Sequence, residues 1–67
     1  MAVLENRIKV VLVEKKVKSK DLAEGIGRDT ATMSRWCTNK TQPSLEALFD
    51  IAKFLDVDIR ELLVPTK

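Results

Sequence analysis

The sequence predicts an all-α fold, five short helices in a single domain spanning residues 1–67. Three observations predict it. Apolar residues recur at spacings of three and four in successive short segments, no stretch alternates with a period of two, and residues suited to starting or ending helices (Ser19, Gly27, Asp29, Asn39, Ser44, Asp58) stand between those segments. A chain of 67 residues has room for one core, and a domain of that size buries only about 60% of its unfolded surface. The apolar fraction of 45%, with two glycines and two prolines, is that of a globular chain rather than a disordered one.

The first helix is expected from about Leu4 to Lys15 or Lys16, because Leu4, Ile8, Val11 and Leu12 form one stripe. Val10 and Val13 lie off that stripe and need a second partner, either the C-terminal helix or another subunit. Cover from within the same chain is the simpler reading. Val17 interrupts a basic linker, Lys15-Lys16-Val17-Lys18, and is expected to tuck it onto the core. Ser19 then caps or opens the second helix, Asp21 suits the positive end of its dipole, and Leu22, Ala23 and Ile26 face inward. Gly27 ends it, since a sharp helix exit needs the left-handed conformation.

Asp29 is the expected cap of the third helix, from Thr30 to about Cys37 or Thr38, with Met33 and Trp36 buried and Asn39 as a left-handed exit residue. Lys40-Thr41-Gln42-Pro43 leads to Ser44, the cap of a fourth helix with the apolar stripe Leu45, Leu48, Phe49, Ala52 and Leu55. Asp58 with Glu61 has the form of a capping box, giving a short fifth helix with Ile59, Leu62 and Leu63, closed by Pro65.

Composition excludes several classes of function. Histidine is absent, the lone Cys37 has no base partner, and there is no phosphate-cradling glycine loop or metal-ligand cluster. No enzyme, metal, cofactor or small-molecule ligand is therefore expected. Cys37 cannot form an intramolecular disulfide, and with no partner cysteine and no basis for stabilising a thiolate it is not expected to be a redox sensor. The longest apolar run, Val10-Val11-Leu12-Val13, falls far short of the roughly 20 residues that span a bilayer, and no secretory leader opens the chain, so the cytoplasm is the expected location. Net charge is only +2, but it is unevenly spread: residues 1–43 carry nine Lys/Arg against five Asp/Glu, and residues 44–67 carry three against five. The basic excess sits in the first two-thirds.

The informative segment is Ser19 to Thr38, SKDLAEGIGRDTATMSRWCT. Two short helices joined by a few residues around a glycine can cross steeply, so that the second projects from the domain toward a groove roughly 12 Å wide. Such a crossing needs a small residue at the close approach, a glycine at the turn and apolar residues at fixed offsets. Ala23, Gly27 and the set Leu22, Ile26, Met33 and Trp36 supply these.

With the Ser34-Arg35-Trp36 stretch, Pro43-Ser44-Leu45-Glu46, Ile51-Ala52-Lys53, Leu55-Asp56-Val57-Asp58 and Glu61-Leu62-Leu63, the chain resembles the Cro/repressor-like helix-turn-helix family, also called the xenobiotic response element family, over nearly its whole length. The resemblance implies a five-helix, lambda-repressor-like domain whose second and third helices form the helix-turn-helix. It also implies sequence-specific binding to double-stranded DNA as a transcriptional regulator, most simply a repressor. This chain departs from the usual pattern at Ser19 (commonly glutamine), Arg28 (usually apolar), Cys37 (commonly glutamate) and Asn39 (commonly glycine). Gly25, inside the second helix, should cost roughly 1 kcal/mol relative to alanine.

On a helix that enters the major groove by its amino end, exposed residues of the first turn and those one turn on reach base edges: Thr30, Ala31, Ser34 and Arg35, positions that usually read bases in the family. Arg35 can pair bidentately with guanine, and the methyl groups of Thr30 and Ala31 can meet a thymine methyl. Phosphate contacts are expected from Ser19, Lys20, Arg28, Thr38, Asn39, Lys40 and Thr41. Because one helix reads only about 4–5 base pairs, a homodimer on a palindromic operator is expected. Its interface would use Ile59, Leu63 and Val64 with Val13. The competing reading is a protein-binding module on the same scaffold, such as an antitoxin that grips its toxin. The small and basic residues on the exposed side of the third helix favour DNA, since a protein-binding face would show large apolar anchors. No sensor domain follows the fifth helix, so regulation by concentration, partner or dimerisation is expected.

Overall fold

The computed structural model describes residues 6–64. Four α-helices and one 3-10 helix follow one another: α1 (Ile8–Lys15), α2 (Ser19–Ile26), α3 (Thr30–Cys37), α4 (Leu45–Leu55) and the 3-10 helix Ile59–Leu62. The fold is all-α as expected, but the fifth element is not an α-helix. The segment is bonded i→i+3, through Glu61 N–H to Asp58 O at 2.9 Å and Leu63 N–H to Arg60 O at 3.2 Å. The capping box is present: Asp58 accepts from Arg60 N–H at 2.9 Å and Glu61 reaches back to Asp58 N–H at 3.0 Å. Leu63 lies beyond the helix in extended backbone, and Pro65 lies outside the described residues.

Helix α1 begins at Ile8, not near Leu4, and Leu4 itself lies outside the described residues. Residues 6 and 7 cannot join the helix because they are engaged elsewhere. Asn6 forms an isolated antiparallel bridge with Leu63, and Arg7 N–H donates to Leu62 O at 2.8 Å. The other helix boundaries follow local chemistry. Asp29 accepts from Thr32 N–H at 2.6 Å and Ser44 from Ala47 N–H at 3.1 Å, each capping its helix. Gly27 (φ 74°) and Asn39 (φ 62°) take the left-handed conformation as expected, and so do Lys16 and Asp56. Ser19 opens α2 but does not cap it. The N-cap is Lys18, and no side chain caps that end.

The core joins Ile8, Val11 and Leu12 of α1 to Leu22 and Ala23 of α2, Met33 and Trp36 of α3, Ala47, Ile51, Ala52 and Leu55 of α4, and Leu62. Val17 packs against it as expected. Helix α4 departs from its expected stripe: Leu45 is 66% and Phe49 56% exposed, while Ala47 and Ile51 are fully buried. Eight of its eleven residues are apolar, so two stripes compete, and α2 and the 3-10 helix pack on the one that carries the small residues Ala47 and Ala52. Val10 and Val13 stay outside the core, Val13 70% and Val10 45% exposed. Gly25 has a partner that its helix position does not suggest. The Phe54 ring of α4 lies so close that a Cβ on Gly25 would stand 2.6 Å from Cδ1 and 2.8 Å from Cζ.

Candidate nucleic-acid interface

Helices α2 and α3 pack directly on each other, joined by Gly27, Arg28 and Asp29. Arg28 N–H donates to Ala23 O at 2.9 Å, which closes α2 and turns the chain into Asp29. The Thr32 amide holds the Asp29 carboxyl below the usual carboxylate range, and Arg35 adds to that effect, so the cap is ionised at neutral pH. With Met33 and Trp36 turned into the core, Thr30, Ala31, Ser34 and Arg35 are left together on the exposed side of α3. Among the described residues the Arg35 guanidinium makes no ion pair or side-chain hydrogen bond. Trp36, at 7% exposure, belongs to the core and is not available for base stacking.

Among the expected phosphate contacts, Ser19, Lys20, Arg28, Thr38, Lys40 and Thr41 are exposed. Ser19 of α2, Ser34 of α3 and Thr38 at the end of α3 line one cleft of about 290 Å³, along with Lys9, Val13 and Cys37. Thr38 Oγ1 donates to Ser34 O at 3.0 Å, so its hydroxyl hydrogen is engaged at the helix end. The loop after α3 curls back beneath the helix end, where Lys40 N–H and Thr41 N–H both reach Arg35 O, at 2.9 and 3.4 Å. The Asn39 side chain is half-buried and turned inward: its Oδ1 accepts from Asn6 N–H at 2.7 Å and from Gln42 Nε2 at 3.1 Å. Burial pushes the Cys37 thiol up, against a smaller opposing pull from Lys9.

Of the expected dimer residues, Ile59 and Val13 line different hollows. Ile59 lines a hollow of about 470 Å³ with Phe49, Ala52, Val57, Lys53, Asp50 and Asp58, whereas Val13 lines the Ser19–Ser34 cleft. Leu63 and Val64 are exposed beside the Asn6 bridge. None of the expected base or phosphate contacts lines the Ile59 hollow. Sequence reasoning gave Asn6 no role and Gln42 only a place in the loop after the third helix. A cap-type residue two positions ahead of α1 was a signal for Asn6, but nothing local marks Gln42.

A glycine-turned pair of helices whose second member shows small, polar and basic side chains to solvent is a helix-turn-helix. The chain belongs to the Cro/C1-type helix-turn-helix DNA-binding family, whose model matches residues 7–67. It is similar in structure to a protein from Bacteroides fragilis, described provisionally as DNA-binding, at 51% identity and a TM-score of 0.88, covering 91% of this chain and 98% of that one. It shares its fold with a transcriptional regulator from Listeria innocua at 22% identity and a TM-score of 0.72, covering 94% of this chain and 63% of that one. No curated protein matches it. Among the described residues no helix is long and apolar enough to cross a membrane, and no group of acidic, histidine or cysteine side chains is placed to hold a metal.

Proposed function

We propose that this chain binds double-stranded DNA sequence-specifically as a transcriptional repressor, with α3 lying in the major groove. The observation that carries the reading is the exposed side of α3, where Thr30, Ala31, Ser34 and an unpaired Arg35 stand together with no large apolar residue among them. Arg35 pairs with guanine O6 and N7, Ser34 adds a hydroxyl, and the methyl groups of Thr30 and Ala31 meet thymine. Ser19, Lys20, Arg28, Lys40 and Thr41 contact phosphates on either side, joined by Thr38 as an acceptor through bound water. The uncapped amino end of α2 adds free amides and the positive end of a helix dipole. The side chain of Asn39 is turned inward and contributes indirectly. Likeness to a Bacteroides fragilis protein described provisionally as DNA-binding supports the same reading.

The protein acts as a homodimer on a palindromic operator, its two α3 helices about 34 Å apart. Ile59, Leu63 and Val64 supply the contact, and Phe49 and Val57 extend it around the Ile59 hollow. The test is selection of bound sequences from random DNA, followed by titration of Arg35→Ala and Lys40→Ala on the selected and a scrambled duplex at two salt concentrations. Arg35→Ala should cost about 1–3 kcal/mol on the selected sequence and relax preference at one guanine per half-site. Lys40→Ala should weaken both duplexes alike and make the log-affinity against log-salt slope shallower by about one per subunit. Equal weakening of both duplexes by Arg35→Ala, with discrimination lost in Lys40→Ala, would show that α3 is not in the groove.

A further inference from the structure

Asn6 is the one buried polar side chain among the described residues, at 8% exposure, and all of its polar atoms are used. Its Oδ1 accepts from Ile8 N–H at 3.0 Å and so, from one residue ahead of the N-cap Arg7, satisfies the first amide of α1. Its Nδ2 donates to Trp36 O at 2.8 Å and to Gln42 Oε1 at 2.9 Å, while its backbone N–H and C=O bond the two ends of the Asn39 amide at 2.7 and 3.4 Å. Gln42 closes the triangle by donating to Asn39 Oδ1 at 3.1 Å. The chain leaving α3 is thus pinned to the lead-in of α1 at residues 36, 39 and 42, and Lys40 and Thr41 stand between the last two pins. The first amide of α1 needs only one acceptor. The two donors of the Asn6 amide go to α3 and its exit loop instead, although a helix packed by Met33 and Trp36 has no need of them to stay in the core.

Resting on the DNA-binding reading above, we propose that Asn6, acting through Asn39 and Gln42, is a positioning residue of the DNA interface: it fixes Lys40 and Thr41 at the end of α3, so that their phosphate contacts are in place when the helix docks. Two variants test this. Asn6→Ser keeps an oxygen to accept from Ile8 N–H but lacks the reach and the donors for Trp36 and Gln42. Gln42→Met changes an exposed residue and opens the triangle while leaving the bond from Ile8 N–H to Asn6 Oδ1 in place. Each should bind the selected and the scrambled duplex about tenfold more weakly than wild type, with the ratio between the two duplexes kept within about twofold, because phosphate contacts carry affinity rather than sequence.

A double-mutant cycle separates positioning from plain structural support. On either variant, Lys40→Ala should cost less than about twofold more, since the contact it removes is already lost. Lys20→Ala, on α2 and outside the loop, should cost its full factor. If Lys40→Ala and Lys20→Ala both multiply fully with Asn6→Ser and Gln42→Met while wild type binds normally, the proposal fails and the DNA-binding reading stands. If wild type shows no salt-dependent binding to either duplex, both fail together. Should Asn6→Ser not fold, as judged by circular dichroism, the Gln42→Met cycle alone decides.

Discussion

Gly25→Ala is where helix propensity and tertiary packing give opposite signs. Propensity alone says that alanine stabilises the middle of α2 by about 1 kcal/mol. The structure places the Phe54 ring in the space of the new methyl, with Cδ1 at 2.6 Å and Cζ at 2.8 Å, so the ring must swing off α2. Phe54 is 44% exposed where it stands, so a little over half its surface is covered. Full burial of a phenylalanine is worth about 1.5–3 kcal/mol, and displacement of this one should therefore forfeit about 1–1.5 kcal/mol. The two effects nearly cancel. Gly25→Ala should change stability by less than about 0.5 kcal/mol in the wild-type background and stabilise by about 1 kcal/mol in a Phe54→Ala background. Urea denaturation followed by circular dichroism resolves this, since 1 kcal/mol moves the midpoint by about 1 M at the slope of a small domain. Equal stabilisation in both backgrounds would refute the packing argument.

Trp36→Ala should lose about 3–5 kcal/mol, comparable to the whole stability of a core this small, and leave the domain largely unfolded at 25 °C; a normal melt with only DNA binding lost would put the side chain on the surface. The Asp29 and Asp58 carboxyls are held below their usual range, Asp29 by the Thr32 amide and Asp58 by the Arg60 side chain and amide. Their contribution is therefore present above about pH 4 and is lost as pH falls through the lowered native values. The Asp29→Asn/Asp58→Asn variant should show a shallower loss of stability than wild type on acid titration below about pH 4, and an unchanged acid limb would contradict the assignment. Because burial raises the Cys37 thiol, iodoacetamide at neutral pH should modify it more slowly than a cysteine in an unstructured peptide, with the peptide's rate regained in urea. A folded-state rate above the peptide's would mean the thiol is activated.

Much of this architecture is local and was legible residue by residue. Asp29, Ser44 and the Asp58–Glu61 box cap helices with their own side chains, and Gly27 and Asn39 exit through the left-handed conformation, so chemistry within four residues sets those boundaries. Met33 and Trp36 could be assigned to the core for the same reason. Once two positions on an eight-residue helix are apolar and one turn apart, the residues opposite them must face out, and that placed Thr30, Ala31, Ser34 and Arg35 on one side.

What the tertiary structure decided is whatever depends on a partner far along the chain. Helix α4 is apolar nearly all round, so its own pattern could not choose between the Leu45–Phe49 face and the Ala47–Ile51 face, and close packing against α2 and the 3-10 helix chose the smaller residues. The start of α1 depends on partners far along the chain: Leu62, 55 residues away, takes up the Arg7 amide, and the Asn39 side chain takes up the backbone of Asn6. Gly25 reads as a weak point in a helix until Phe54 is seen against it. The Asn6–Asn39–Gln42 triangle joins residues 33 and 36 positions apart. Hydrogen bonds of that reach leave no periodicity in a sequence, because their geometry exists only after the helices have packed.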